Sequence, residues 1–188
     1  MKPLPLAALA LAAMPVLGAA QGSMAGMSAS NSSIGPLKAD VLANMKTVTD
    51  KWMQLADAMP ADKYTWRPGA GVRSVAEVFL HISNAQYIFG ASIGVKPPAG
   101  YDVKSFETQT TDKAEIIAIM RAAFAAMSAQ IAALPDNSGD KAFKLFGVDY
   151  NTRRLLVLET DHNAEHLGQM IAYARVNGVV PPWSQKEN

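Results

Sequence analysis

The chain has 188 residues, 49% apolar and 18% charged, with a net charge of +1 and no cysteine. That length suits one domain with a real hydrophobic core, and the near-neutral charge lacks the basic footprint of a nucleic-acid binder. Without cysteine, the fold is held by its core or by its core plus a metal, and no protein thiol serves as nucleophile.

Residues 1–20, MKPLPLAALALAAMPVLGAA, carry an early lysine, a short Leu/Ala run broken by Pro15, and small residues at Gly18-Ala19-Ala20. This pattern predicts a signal peptide cleaved near Ala20 and a periplasmic or secreted product. No cysteine follows the cut, so no lipoprotein anchor is expected and no stable membrane anchor remains after cleavage. Residues 21–35, QGSMAGMSASNSSIG, read as a flexible Gly/Ser-rich linker.

From Pro36 the spacing of Leu37, Val41, Met45, Val48, Trp52, Leu55 and Met59 predicts a helix with one buried stripe, closed by Pro60. A second helix is expected from Val75 to Ile93, opened by the capping box Ser74-Val-Ala-Glu77. Asp112 caps a third, which buries Ile116, Met120, Phe124, Met127, Ile131 and Leu134 before Pro135. The fourth starts at Asn151 or Thr152 and closes at Asn177-Gly178. No segment reads as a strand. The expectation is an all-α four-helix bundle over 36–183 with a short tail, 184–188. Its two long connections, 94–111 and 135–151, are of a length that is often functional.

Along one face of the fourth helix lie Leu155, Leu158, Glu159, His162, His166, Gln169, Met170 and Tyr173, apolar at the ends and polar in the middle. A bundle interior disfavours such a middle unless the groups are partnered. His162 and His166, four residues apart, can reach one metal ion. The third histidine of the chain, His81, lies at the edge of the buried stripe of the second helix. Three imidazoles leave coordination positions open, as a reactive metal requires. A metal-free core cluster of His81, Glu159 and Gln169 is the alternative.

Glu159 is a candidate catalytic group, either orienting an imidazole or acting as a base, with a surface ion pair to Arg154 as its rival. Gln169 is a second candidate, touching a ligand or lining the site, against a partly exposed amide. Glu77 reads first as a cap, and Asn84 as a solvated residue on the face of His81. Trp66 and Trp183 read as packing lids, and the methionines as core filler rather than copper ligands.

The chain resembles the DinB/YfiT-like family from about Pro60 to Trp183. The matching pieces are Pro60 with Trp66-Arg-Pro68, then Ser74-x-x-Glu77-x-x-x-His81, then Asp161-His162-x-x-x-His166-x-Gly168-Gln169, and finally Tyr173-Ala-Arg175-x-x-Gly178-x-x-Pro181-Pro182. The resemblance implies an up-and-down-type bundle, commonly a homodimer, with a divalent metal on His81, His162 and His166. Zinc, nickel, iron and manganese all occur in the family. Its characterised activities include thiol-dependent S-transfer and maleylpyruvate isomerisation. Export would separate this chain from cytoplasmic thiols such as bacillithiol or mycothiol. The expected function is therefore a metal-dependent hydrolase or transferase acting on an unknown small molecule, with a non-catalytic, metal-stabilised binding protein as the alternative.

Overall fold

A computed structural model describes residues 33–185. The expected signal peptide, most of the expected linker (21–32) and the end of the tail (186–188) lie outside the described residues.

Four helices form the body: α1 (Gly35–Ala58), α2 (Val75–Ala91), α3 (Lys113–Ala133) and α4 (Thr152–Val176). Each start follows from local chemistry. Pro36 sits in the first turn of α1, where a missing N–H costs nothing. At α2 the capping box is complete: Ser74 Oγ accepts from Glu77 N, and Glu77 Oε2 accepts from Ser74 N at 2.7 Å. Asp112 and Asn151 cap α3 and α4 through side-chain oxygens that accept from Glu115 N and Arg154 N.

Trp52, Leu55, Tyr64, Phe79, Leu80, Ile82, Met120, Met127 and Leu155 are fully buried between these helices. Trp52 and Tyr64 both pack against Phe79, with ring centroids 6.0 and 5.6 Å away. Among the described residues most methionines are spent in this core: Met45, Met59, Met120, Met127 and Met170 are buried. Met24 and Met27 lie outside the described residues. The third helix is long and apolar enough to cross a membrane, with a mean hydropathy of 1.7, yet it packs here against α1 and α2.

The helices do not follow an up-and-down order. Each of α1 and α2 packs against both α3 and α4, so the ring runs α1, α3, α2, α4, and consecutive helices α1 and α2 face each other across a diagonal. The same holds for α3 and α4. A chain can take diagonals only if its connections are long enough to cross the end of the bundle, which residues 59–74 and 134–151 are.

The second of these connections corrects the expectation of a strandless chain. It contains an antiparallel hairpin, β1 (Ala142–Leu145) and β2 (Val148–Asn151), paired Ala142 to Asn151 through Leu145 to Val148. Phe143 stacks on Tyr150 across it, and Lys144 pairs with Asp149 at 2.6 Å. Its two-residue turn, Phe146-Gly147, has φ of 52° and 78°. Two positive φ values are the signature of the tight turn that matches strand twist, for which Asn-Gly is the usual choice. Phenylalanine in the first position costs on the order of 1 kcal/mol.

Candidate metal centre

The seam between α2 and α4 brings the three histidines together. Helical spacing stacks His162 and His166 on one face of α4, and α2 presents His81 to both. Ring centroids are 5.3 Å apart for His81 and His162, 4.6 Å for His81 and His166, and 4.5 Å for His162 and His166. Their ligand atoms all lie within 4.8 Å of one another, a group able to hold a metal ion.

Two of the three rings are fixed from behind. His81 Nδ1 lies 2.6 Å from Glu107 Oε1, and His166 Nδ1 lies 2.8 Å from Gln169 Oε1. Burial works against the ionised Glu107 carboxylate, but hydrogen bonds and charge from His81 and Arg73 hold its carboxyl down to about 2. An ionised carboxylate only accepts, so His81 Nδ1 carries a hydrogen towards Glu107. The Gln169 amide nitrogen donates to Tyr173 Oη at 3.1 Å, which leaves Oε1 to accept from His166 Nδ1. The Nε2 atoms of His81 and His166 converge at 3.2 Å, a separation bridged by a hydrogen on one of them or by a cation between them. Two nitrogens about 2.0 Å from one shared ion in tetrahedral geometry would be about 3.3 Å apart, so this donor set fits a transition metal.

The supports close into a circuit. Arg73 Nε donates to Glu107 Oε2 at 2.7 Å, and the Arg73 carbonyl accepts from Tyr173 Oη at 3.3 Å. Tyr173 in turn receives Gln169, which receives His166. Burial, then the neighbouring histidines and Arg73, push His162 down to about 4, and burial likewise lowers His166. Both are neutral at neutral pH, the form a metal requires. His162 Nδ1 is buried without a hydrogen-bond partner.

Gln169 Oε1 faces His166 Nδ1 and positions that ring. Glu159 lies away from the histidine ring nitrogens. It is fully buried, Oε1 accepts from Asn163 Nδ2, and the Gln86 amide lies within reach. Neither Glu159 oxygen bonds a histidine among the described residues, so the imidazole it was expected to orient is not oriented by it. Nor does it pair with Arg154, which bonds the Asp149 carbonyl and lies over the Tyr150 ring at 4.1 Å. Burial pushes the Glu159 carboxyl up to about 7, against the hydrogen bonds of Asn163 and Gln86.

Asn84 is buried rather than solvated and bonds Tyr101 Oη at 2.6 Å and the Val103 carbonyl, tying the long loop to α2. Glu77 acts as cap and pairs with Arg67 at 3.0 Å. Trp66 packs edge-on against Tyr173, and Lys51 lies over Trp183.

Sequence reasoning missed Glu107, Arg73 and the aromatic wall beside the site. A cavity of about 350 Å³ opens on His81 and His162, with Phe89, Phe146 and Tyr150 among its walls. A larger groove of about 430 Å³ between α1 and α4 contains none of the histidines.

A helical bundle with three imidazoles converging on its seam is an architecture able to hold a metal ion. The DinB family profile matches residues 27–187, and the chain belongs to the DinB family. No curated protein gives a significant match. Among solved structures, a DinB-like protein from Bacillus cereus ATCC 10987 is similar at 18% identity and a TM-score of 0.66, over 76% of this chain and 93% of that one. The DinB-like protein YjoA from Bacillus subtilis is similar at 21% identity and a TM-score of 0.61, over 79% of this chain and 99% of that one. YfiT from Bacillus subtilis is described as a probable metal-dependent hydrolase with an unusual four-helix bundle topology. It shares 17% identity and a TM-score of 0.62, over 77% of this chain and 90% of its own. These likenesses establish the fold.

Proposed function

We propose that this DinB-family protein is exported and holds one divalent transition ion on His81, His162 and His166, acting as a metal-dependent hydrolase of a small molecule. The observation that carries the reading is the 3.2 Å approach of His81 Nε2 to His166 Nε2 while both Nδ1 atoms face acceptors. Two ring nitrogens so placed need a hydrogen or a cation between them, and three imidazoles whose ligand atoms lie within 4.8 Å of one another suit a metal ion. A bound divalent ion with three imidazoles would supply a water of lowered pKa and a Lewis acid for a substrate carbonyl.

The chain's own contribution is positional. Glu107 turns His81 so that Nε2 faces the cluster, Gln169 does the same for His166, and His81 and then Arg73 hold the Glu107 carboxyl down. Such outer partners raise ligand basicity and fix ring orientation. Three imidazoles suit zinc, nickel or iron better than magnesium or calcium. The words used of YfiT support the hydrolytic class. Export rests on the leader at residues 1–20, and it disfavours chemistry that consumes a cytoplasmic thiol.

The test is ester hydrolysis by the mature protein reconstituted with zinc, nickel or iron, beside His166→Ala under the same conditions. We expect turnover to fall about a hundredfold or more in the variant with its circular dichroism unchanged. Equal turnover in the two proteins would contradict the assignment.

A further inference from the structure

The cavity beside the histidines has a chemical character of its own. Apart from His81 and His162 its walls are Ala85, Ile88, Phe89, Leu158 and two residues of the β-hairpin, Phe146 and Tyr150, with no carboxylate, lysine or arginine among them. At about 350 Å³ it lies within the range of small-molecule pockets, roughly 300–1,000 Å³.

Phe146 is the informative residue. It is 74% exposed, and it occupies a positive-φ turn position that favours asparagine or glycine. Neither burial nor turn geometry accounts for a phenyl ring there. What the ring does touch is Phe89, edge-on at 6.2 Å, and Phe89 in turn meets His162 edge-on at 5.1 Å. A continuous aromatic wall therefore runs from the hairpin tip to the histidine cluster. The hairpin also carries Tyr150 into the cavity.

We propose that this cavity binds the apolar end, an aromatic ring or short acyl chain, of an uncharged small molecule whose polar end lies at the histidines, and that Phe146 roofs it. The placement of the polar end rests on the three-histidine metal reading. The apolar subsite itself rests on the cavity walls. The substrate class is thus an ester or amide of an aromatic or short aliphatic acid, rather than a phosphate or a sugar, for which the walls offer neither cations nor a set of hydrogen-bonding groups.

The experiment titrates imidazole and 4-phenylimidazole into the cobalt(II)-loaded protein and reads the visible spectrum, in wild type and in Phe146→Asn. That substitution installs the favoured Asn-Gly turn, so the hairpin stays folded while the ring is lost. We expect 4-phenylimidazole to bind about tenfold or more tighter than imidazole in the wild type, and this preference to shrink to about threefold or less in the variant. Imidazole affinity should not change. Equal affinities in the wild type, or an undiminished preference in Phe146→Asn, would overturn the proposal.

If cobalt fails to bind, the metal reading falls, and the subsite is decided separately in the metal-free protein by amide NMR. Shifts at Ile88, Phe146 and Leu158 on adding 4-phenylimidazole would support it, and their absence would overturn it.

Discussion

Glu107 has no motif, yet it governs how His81 is presented. Its Oε1 accepts from His81 Nδ1 and its Oε2 from Arg73, so it is both an orienting and a charge-balancing group. Replacing it with glutamine keeps the shape but offers one acceptor oxygen where two are used. Outer-shell partners of metal-binding histidines typically contribute about 10–100-fold in affinity. Glu107→Gln is therefore expected to weaken zinc binding by that factor in a competition with a chromophoric chelator, while leaving the helical content unchanged. Unaltered affinity would show that His81 needs no such support. Glu159 gives a separate prediction. Its Oε2 and the neighbouring Gln86 Oε1 are both buried without a donor, and a proton on the carboxyl would supply one. The folded carboxyl is raised from its ordinary 4.5 to about 7. The folded state then binds more protons than the unfolded state between those values, so the stability from this group is full below pH 4.5 and lost as pH rises through 7. His162 acts in the opposite sense, because its lowered value makes stability rise with pH between about 4 and 6.5. Comparing metal-free wild type with Glu159→Gln by urea unfolding cancels the histidine contribution. Relative to the variant, the wild type should lose on the order of 3 kcal/mol between pH 4.5 and above pH 7. A pH-independent difference would refute the buried acid.

At the scale of elements, helix starts are the most legible part of the sequence, because they are local. Ser74 and Glu77 satisfy each other's orphan backbone groups within four residues, so the pattern and the geometry coincide. Ser74→Ala should cost about 1 kcal/mol in denaturant unfolding without altering metal stoichiometry. No loss would mean that tertiary contacts, not the cap, fix the start of α2. The two histidines of α4 were equally legible, since four residues on a helix suffice to superpose them. The hairpin was not. Its strands are four residues each, and its turn reads Phe-Gly, which carries no Asn-Gly or Asp-Gly signal. Glu107 was invisible for a different reason. It lies in a short turn of the long loop, 26 residues from His81, and only the fold of that loop brings them together.

The molecule as a whole uses its long connections to assemble one site. The diagonal topology places α2 beside α4, the loop after α2 supplies Glu107, and the loop before α4 supplies Phe146 and Tyr150. Ring order is set by which connections cross the bundle end, and no residue pattern records that choice. An ion on His81, His162 and His166 would tie α2 to α4. The most direct measurement is elemental analysis of the untagged protein as purified, beside His81→Ala and His162→Ala. We expect about one equivalent of a single transition metal in the wild type, and little in either folded variant. A wild type that holds no metal even after reconstitution, or variants that hold as much as the wild type, would contradict the three-histidine assignment.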